Sequence, residues 1–131
     1  MTQITRNFAQ EEFTCHCGHC AFSTPQSGLV GLNLVQLLQL VRDDYGAPIT
    51  VSSGRRCPRY NKQVRGVSNS YHTRGLAADI CATDMLGLAE CVLKRREFSY
   101  IELHDTYIHV DIGRQRNFRV NDKRTVKRNA E

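Results

Sequence analysis

One carboxylate inside an apolar run constrains this 131-residue chain more than any other feature. Residues 76–80 (L-A-A-D-I) have the length and composition of a buried strand, and Asp79 is the run's one charged group. A carboxylate buried without a partner costs several kcal/mol or neutralises itself, so the fold must bring a cation to it. A guanidinium from Arg55, Arg56 or Arg74 is one candidate, and a metal ion is the other. His72 lies seven residues before Asp79 and His109 thirty after it. Two ligands on one helical face would sit three or four apart, so this spacing excludes a shared helix. Gly75 instead permits a sharp turn between a loop bearing His72 and the strand bearing Asp79. Two imidazoles and a carboxylate are a donor set of catalytic zinc, with the fourth position left to water.

Residues 99–103 and 107–112 are two further runs of strand formers, joined by a short polar link that predicts a hairpin. In the second run Ile108, Val110 and Ile112 share one face, and Tyr107, His109 and Asp111 the other. A two-residue link, His104-Asp105, sets Glu102 opposite Tyr107 and Tyr100 opposite His109, which carries Glu102 to the metal side. A three-residue link would turn Glu102 away.

The remaining pattern supplies the frame. Leu34, Leu37, Leu38, Val41 and Tyr45 form a helical stripe stopped by Gly46 and Pro48. Residues 49–52 read as a short strand leading to Ser53-Gly54 and Arg56, and Pro58 opens a brief helix through Val64. Thr83-Asp84 begins a second amphipathic helix, with Met85, Leu88, Ala89, Val92 and Leu93 inward and Lys94-Arg95-Arg96 at its end. The order helix, strand, short helix, strand, helix, hairpin implies an α+β domain: an antiparallel sheet with helices packed on one face and a zinc site on the other. With 40% hydrophobic residues, one core is expected over residues 1–113 without help from disulfides.

From Arg114 the character changes. Seven Lys or Arg face two acids in 114–131, a surplus that equals the whole net charge of +5 and leaves eleven of each sign elsewhere. This basic segment is expected to be a flexible tail, solubilising in itself, with anionic wall polymers or nucleic acid as the partners its charge admits. No apolar run approaches eighteen residues and residues 1–10 are polar, so neither membrane insertion nor a secretory signal is expected, and the chain is expected to be cytoplasmic as made. A monomer is expected. Residues 11–20 (E-E-F-T-C-H-C-G-H-C) crowd Cys15, Cys17 and Cys20 together, the basis for a possible structural zinc if Cys57, His16 or His19 adds a fourth ligand. Free thiols are the competing reading, while Cys81 and Cys91 read as small buried hydrophobes.

S-Y-H-T-R-G-L-A-A-D at 70–79 with I-H-V-D at 108–111 resembles the S-x-H-x-x-G-x-A-x-D and H-x-D signatures of the D-Ala-D-Ala metallopeptidases. That family includes phage endolysins and bacterial cell-wall carboxypeptidases and is related in fold to the hedgehog signalling domain. Ser53-Gly54-Arg55-Arg56 and Asn61 are similar to its S-G-x-R and following Asn, and Phe13-Thr14-Cys15 to the start of its phage members. The resemblance implies zinc on His72, Asp79 and His109, an oxyanion-stabilising Arg56 and a substrate contact at Ser70. Many members carry the base three residues before the last zinc histidine, where this chain has Thr106, so Glu102 and Asp105 are the candidates, with Asp111 orienting His109 or the metal. Arg65-Gly66 replaces the two glycines common in relatives.

The activity so implied is zinc-dependent hydrolysis of a peptidoglycan stem peptide, between D-alanines or between L-alanine and D-glutamate. Lysis of the wall would follow, with release by a holin-type partner. Bound zinc lowers the pKa of its water to about 7. The alternatives are a catalytically inactive metal-binding domain of the same fold and, behind it, a nucleic-acid-binding protein built on the cysteines and the basic tail.

Overall fold

The computed structural model describes residues 2–17, 20, 30–67, 70–113 and 118–125. A small antiparallel pair, β1 (Gln3–Thr5) and β2 (Phe8–Ala9), precedes a 3-10 turn at Gln10–Phe13 and helix α1 (Leu32–Tyr45). Then follow β3 (Thr50–Ser53), α2 (Pro58–Gln63), β4 (Ala77–Cys81), α3 (Met85–Leu93), β5 (Tyr100–Leu103), β6 (Ile108–Asp111) and β7 (Arg119–Asp122). The last five strands form one sheet in the order β3-β4-β6-β5-β7.

Period-two alternation sorts this sheet into an apolar and a polar face. Val51, Ala78, Ile80, Ile101, Leu103, Ile108 and Val110 share a buried core with Leu34, Val35, Leu38 and Val41 of α1 and Leu88, Ala89 and Val92 of α3. The domain is α+β as expected, with α1 and α3 packed on the apolar face. Gly46 ends α1 at φ 77°, donating its N–H to the Arg42 carbonyl at 2.9 Å. Asp84 caps α3 by accepting from the Gly87 N–H at 3.0 Å, and Tyr45 Oη ties the two helices by accepting from the Asp84 N–H. α3 stops at Leu93 rather than running through Arg96.

Three expectations need correction. The sheet is mixed rather than antiparallel, because β7 runs parallel to β5. Residues 119–122 thus belong to the sheet, where a flexible tail from 114 was expected. Their R-V-N-D side chains are exposed throughout, so no apolar period announces them, and their backbone covers what would be the open edge of β5. The hairpin link spans four residues, 104–107, and is closed by the His104 N–H donating to the Tyr107 carbonyl. Glu102 therefore pairs with His109, and Tyr100 with Asp111. This register differs by two from the expected one, and a shift of two keeps every side chain on its face. Phe8, within the polar first ten residues, and Phe13 just after them are fully buried, their rings 6.1 Å apart. Each such burial is worth about 1.5–3 kcal/mol, enough to fasten the N-terminal segment to the core.

Candidate metal centre

The polar face carries one transverse row. Ser53, Asp79, His109, Glu102 and Asn121 are successive Cα partners across β3, β4, β6, β5 and β7. His72 reaches the row from a 3-10 turn at Tyr71–Arg74, whose N–H at residue 72 is capped by Ser70 Oγ at 3.1 Å. Gly75 ends that turn at φ 72°, as its position before the strand demanded.

Ligand atoms of His72, Asp79 and His109 all lie within 4.8 Å of one another. His72 Nε2 and His109 Nδ1 each stand 3.1 Å from Asp79 Oδ1. Their other nitrogens are also committed to oxygens: His72 Nδ1 lies 2.8 Å from the Gly54 carbonyl, and His109 Nε2 lies 2.8 Å from Asp111 Oδ2. A neutral imidazole has one N–H, and here two rings meet four oxygen contacts. Either both rings carry an extra proton or one cation sits among the three inward-facing atoms. With the outer nitrogens donating, the inward lone pairs and the Asp79 carboxylate form a donor set suited to zinc.

Electrostatics agree with a site that calls for positive charge. Burial pushes the Asp79 carboxyl up, yet hydrogen bonds and charge from His109 and His72 outweigh it and hold it well below the usual carboxylate range. Burial pulls His109 down, but Asp111 and Asp79 together raise it to about 9. Asp111 is completely buried and fixes the His109 ring.

Arg56, of the three arginines considered, is the one that reaches Asp79. Its Nη2 donates to Asp79 Oδ2 at 3.1 Å, its Nε to Ser53 Oγ at 3.0 Å and its Nη1 to Asn61 Oδ1 at 3.0 Å. Arg56 thus supplies positive charge at Asp79 Oδ2, while Oδ1 faces the two imidazoles. Arg74 instead lies over the Tyr71 ring. Asn61 is buried and also donates to the Val67 carbonyl at 2.8 Å. Gly66 now has a reason: a Cβ there would stand 2.0 Å from Asn61 Oδ1. Arg65 adopts φ 61°, a conformation natural to the glycine that relatives often have there.

A cleft of about 220 Å³ gathers Arg56, Ser70, His72, Asp79, Glu102, Tyr107 and His109. Burial raises the Glu102 carboxyl, but hydrogen bonds from Tyr100 and His104 prevail and lower it, with Lys123 adding to the effect. Tyr100 Oη donates to Glu102 Oε2 at 2.7 Å, and His104 Nε2 lies 2.6 Å from Oε1. Asn121 donates to Tyr100 Oη at 3.2 Å. Sequence reasoning missed Asn121 and Lys123 as its supports, because nothing in the tail's composition marks a strand, and it missed Tyr100 and His104, which flank Glu102 two residues away on either side, because no motif marks them. The structure does not bring Asp105 to the cleft: it sits at the exposed hairpin tip, bonded to the Thr125 amide and hydroxyl.

The sulfur atoms of Cys15, Cys17, Cys20 and Cys57 form a second set within 4.8 Å of one another. Cys57, rather than His16, completes it. His16 packs its ring against Tyr60, and His19 lies outside the described residues. Cys91 is buried in the core and Cys81 half-buried.

A sequence model of the family described as Peptidase M15 matches residues 6–111. No curated protein matches the chain. No helix among the described residues is long and apolar enough to cross a membrane.

Proposed function

The chain belongs to the Peptidase M15 family of D-Ala-D-Ala metallopeptidases, and from that premise we propose that it hydrolyses a peptide bond in peptidoglycan stem peptides and so degrades the cell wall. The D-Ala–D-Ala and L-Ala–D-Glu bonds are the two targets, and the hedgehog-like arrangement implied by the motifs belongs to the same reading. One observation supports it above the rest: a single cleft joins the His72, Asp79 and His109 donor set with one fixed guanidinium and one ionised carboxylate.

Zinc held by His72, Asp79 and His109 would supply Lewis acidity and make water acidic enough to react near neutral pH. Glu102 is charged at neutral pH and oriented through both oxygens, so it can take a proton from the attacking water and return it to the leaving amine. Arg56 is held on three sides and presents fixed positive charge where the scissile carbonyl gains negative charge. Ser70 Oγ already accepts from the His72 amide, which leaves its hydroxyl proton to donate to a substrate oxygen. The Tyr107 phenol is pushed up by burial and by the Asp79 and Glu102 carboxylates, so it stays protonated as a donor on the cleft wall.

Purified cell walls should lose turbidity with the zinc-loaded protein and stop doing so with a chelator, and mass spectrometry of the released peptides would identify the bond cut. His72→Ala should abolish lysis while the circular dichroism spectrum persists; undiminished lysis would remove this site from the chemistry. A metal-binding domain without turnover is the second reading, and one observation favours it: both Glu102 oxygens are already engaged. Zinc-loaded protein that releases no peptide from walls would decide for it.

A further inference from the structure

We propose that Cys15, Cys17, Cys20 and Cys57 hold a structural zinc ion, separate from the histidine centre, that clamps the N-terminal segment to the loop carrying Arg56. The four sulfurs lie within 4.8 Å of one another, with Cys57 Sγ 4.0 Å from Cys17 Sγ. Thiolates about 2.3 Å from one tetrahedral ion are about 3.8 Å apart, so the spacing is that of a single, slightly relaxed coordination shell. A disulfide needs sulfurs about 2.05 Å apart, and none of the six cysteines is in one.

Packing alone does not explain the cluster. Cys91 joins the hydrophobic core, whereas Cys15 and Cys57 are buried outside it and Cys17 and Cys20 are half-exposed. Backbone donors point at sulfur: the Cys57 N–H to Cys15 Sγ and the Tyr60 N–H to Cys57 Sγ, each at 3.3 Å. Pro58 at the first position of α2 leaves Cys57 as the residue that both caps that helix and faces the cluster.

The ion's place gives it a role. The Arg55 N–H donates to the Phe13 carbonyl at 2.8 Å, and a Cβ at Gly54 would stand 2.6 Å from Phe13 Cα, so the two segments are in direct backbone contact. From the same loop, the Gly54 carbonyl faces His72 Nδ1 and the Arg56 N–H donates to the His72 carbonyl at 3.0 Å. The four cysteines would thus be positioning residues, holding residues 54–57 against the centre without touching substrate. This inference concerns metal content and stands whether or not the wall is the substrate.

Metal analysis of purified protein should give two zinc ions per chain. His72→Ala with His109→Ala should leave one, and Cys17→Ser with Cys20→Ser should leave one at the histidine centre. With cobalt in place of zinc, intense thiolate-to-metal charge-transfer absorption should persist in the double histidine variant and vanish in the double cysteine variant. Because the latter risks misfolding, the unaltered protein provides an independent readout: Cys17 and Cys20 should resist alkylation until a strong chelator is added. Alkylation of both without chelator, absence of the charge-transfer band in the histidine variant, or a Cys-Cys disulfide in the reduced-purified protein would each overturn the clamp. Two bound ions with no peptide release from walls would leave the clamp standing and remove the proposed function instead.

Discussion

Proton competition at His109 should govern how the histidine centre takes up metal. Asp111 and Asp79 overcome burial and raise His109 from 6.5 to about 9 in the metal-free protein. A metal at Nδ1 must replace that proton. From pH 9 to pH 7 the competition amounts to about two pKa units, or about 2.7 kcal/mol, so affinity at pH 7 should be about a hundredfold below its plateau above pH 9. The metal-free fold should respond in the opposite sense. A folded-state value above the unfolded 6.5 means that charged His109 contributes stability in full below about pH 6.5, and this is lost as pH rises through about 9, a span of about 3 kcal/mol. Between these limits Tm of the metal-free protein should fall while the increment caused by zinc grows. Chelator competition from pH 7 to 9 gives the affinity, and NMR of the His109 ring reports this site apart from the cysteine cluster. A pH-independent affinity across that interval, or a ring that titrates near 6.5 without metal, would refute the reasoning.

Four substitutions extend the test. Glu102→Gln should reduce peptide release by about 10²–10⁴-fold, whereas Asp105→Asn, at the exposed tip, should leave the rate on cell walls unchanged. Arg56→Lys loses the planar fork that reaches Ser53, Asn61 and Asp79 together, and separate kcat and KM measurements should place a loss of about 10²–10³-fold in kcat. Gly54→Ala puts a methyl group 2.6 Å from Phe13 Cα, a backbone contact that cannot yield locally, so denaturant unfolding should show a loss of about 1–3 kcal/mol or more.

The parts legible in the sequence were those where one local rule decides. Asp79 in an apolar run demanded positive charge, alternation in 107–112 separated His109 and Asp111 from Ile108 and Val110, and stripes ended by Gly46 or begun by Asp84 marked α1 and α3. What escaped depends on contacts between distant segments. Phe8 and Phe13 fall in stretches too short to show a period, and only α1 and the sheet make them core. β7 is exposed on every side chain and exists because β5 offers it hydrogen-bonding groups. The link length could not be read because 104–107 contains neither Gly nor Asn-Gly, and with it went the direct pairing of Glu102 with His109. Among the possible fourth partners of the cysteine triplet, Cys57 was distinguishable from His16 only once the Phe13–Arg55 contact had drawn residue 57 to the cluster.

The transverse row of donors implies a map of tolerance to insertions and deletions. Ile101 with Val110 and Leu103 with Ile108 anchor the ladder through the core, so an added residue between 104 and 107 can bulge into solvent and leave Glu102 beside His109. One codon gained inside β4 or β6 has no such outlet: every side chain beyond it changes sides, delivering carboxylate and imidazole to the greasy interior and leucine-like groups to the cleft. Variation in length among proteins built this way should therefore collect at hairpin tips and skip the ligand strands.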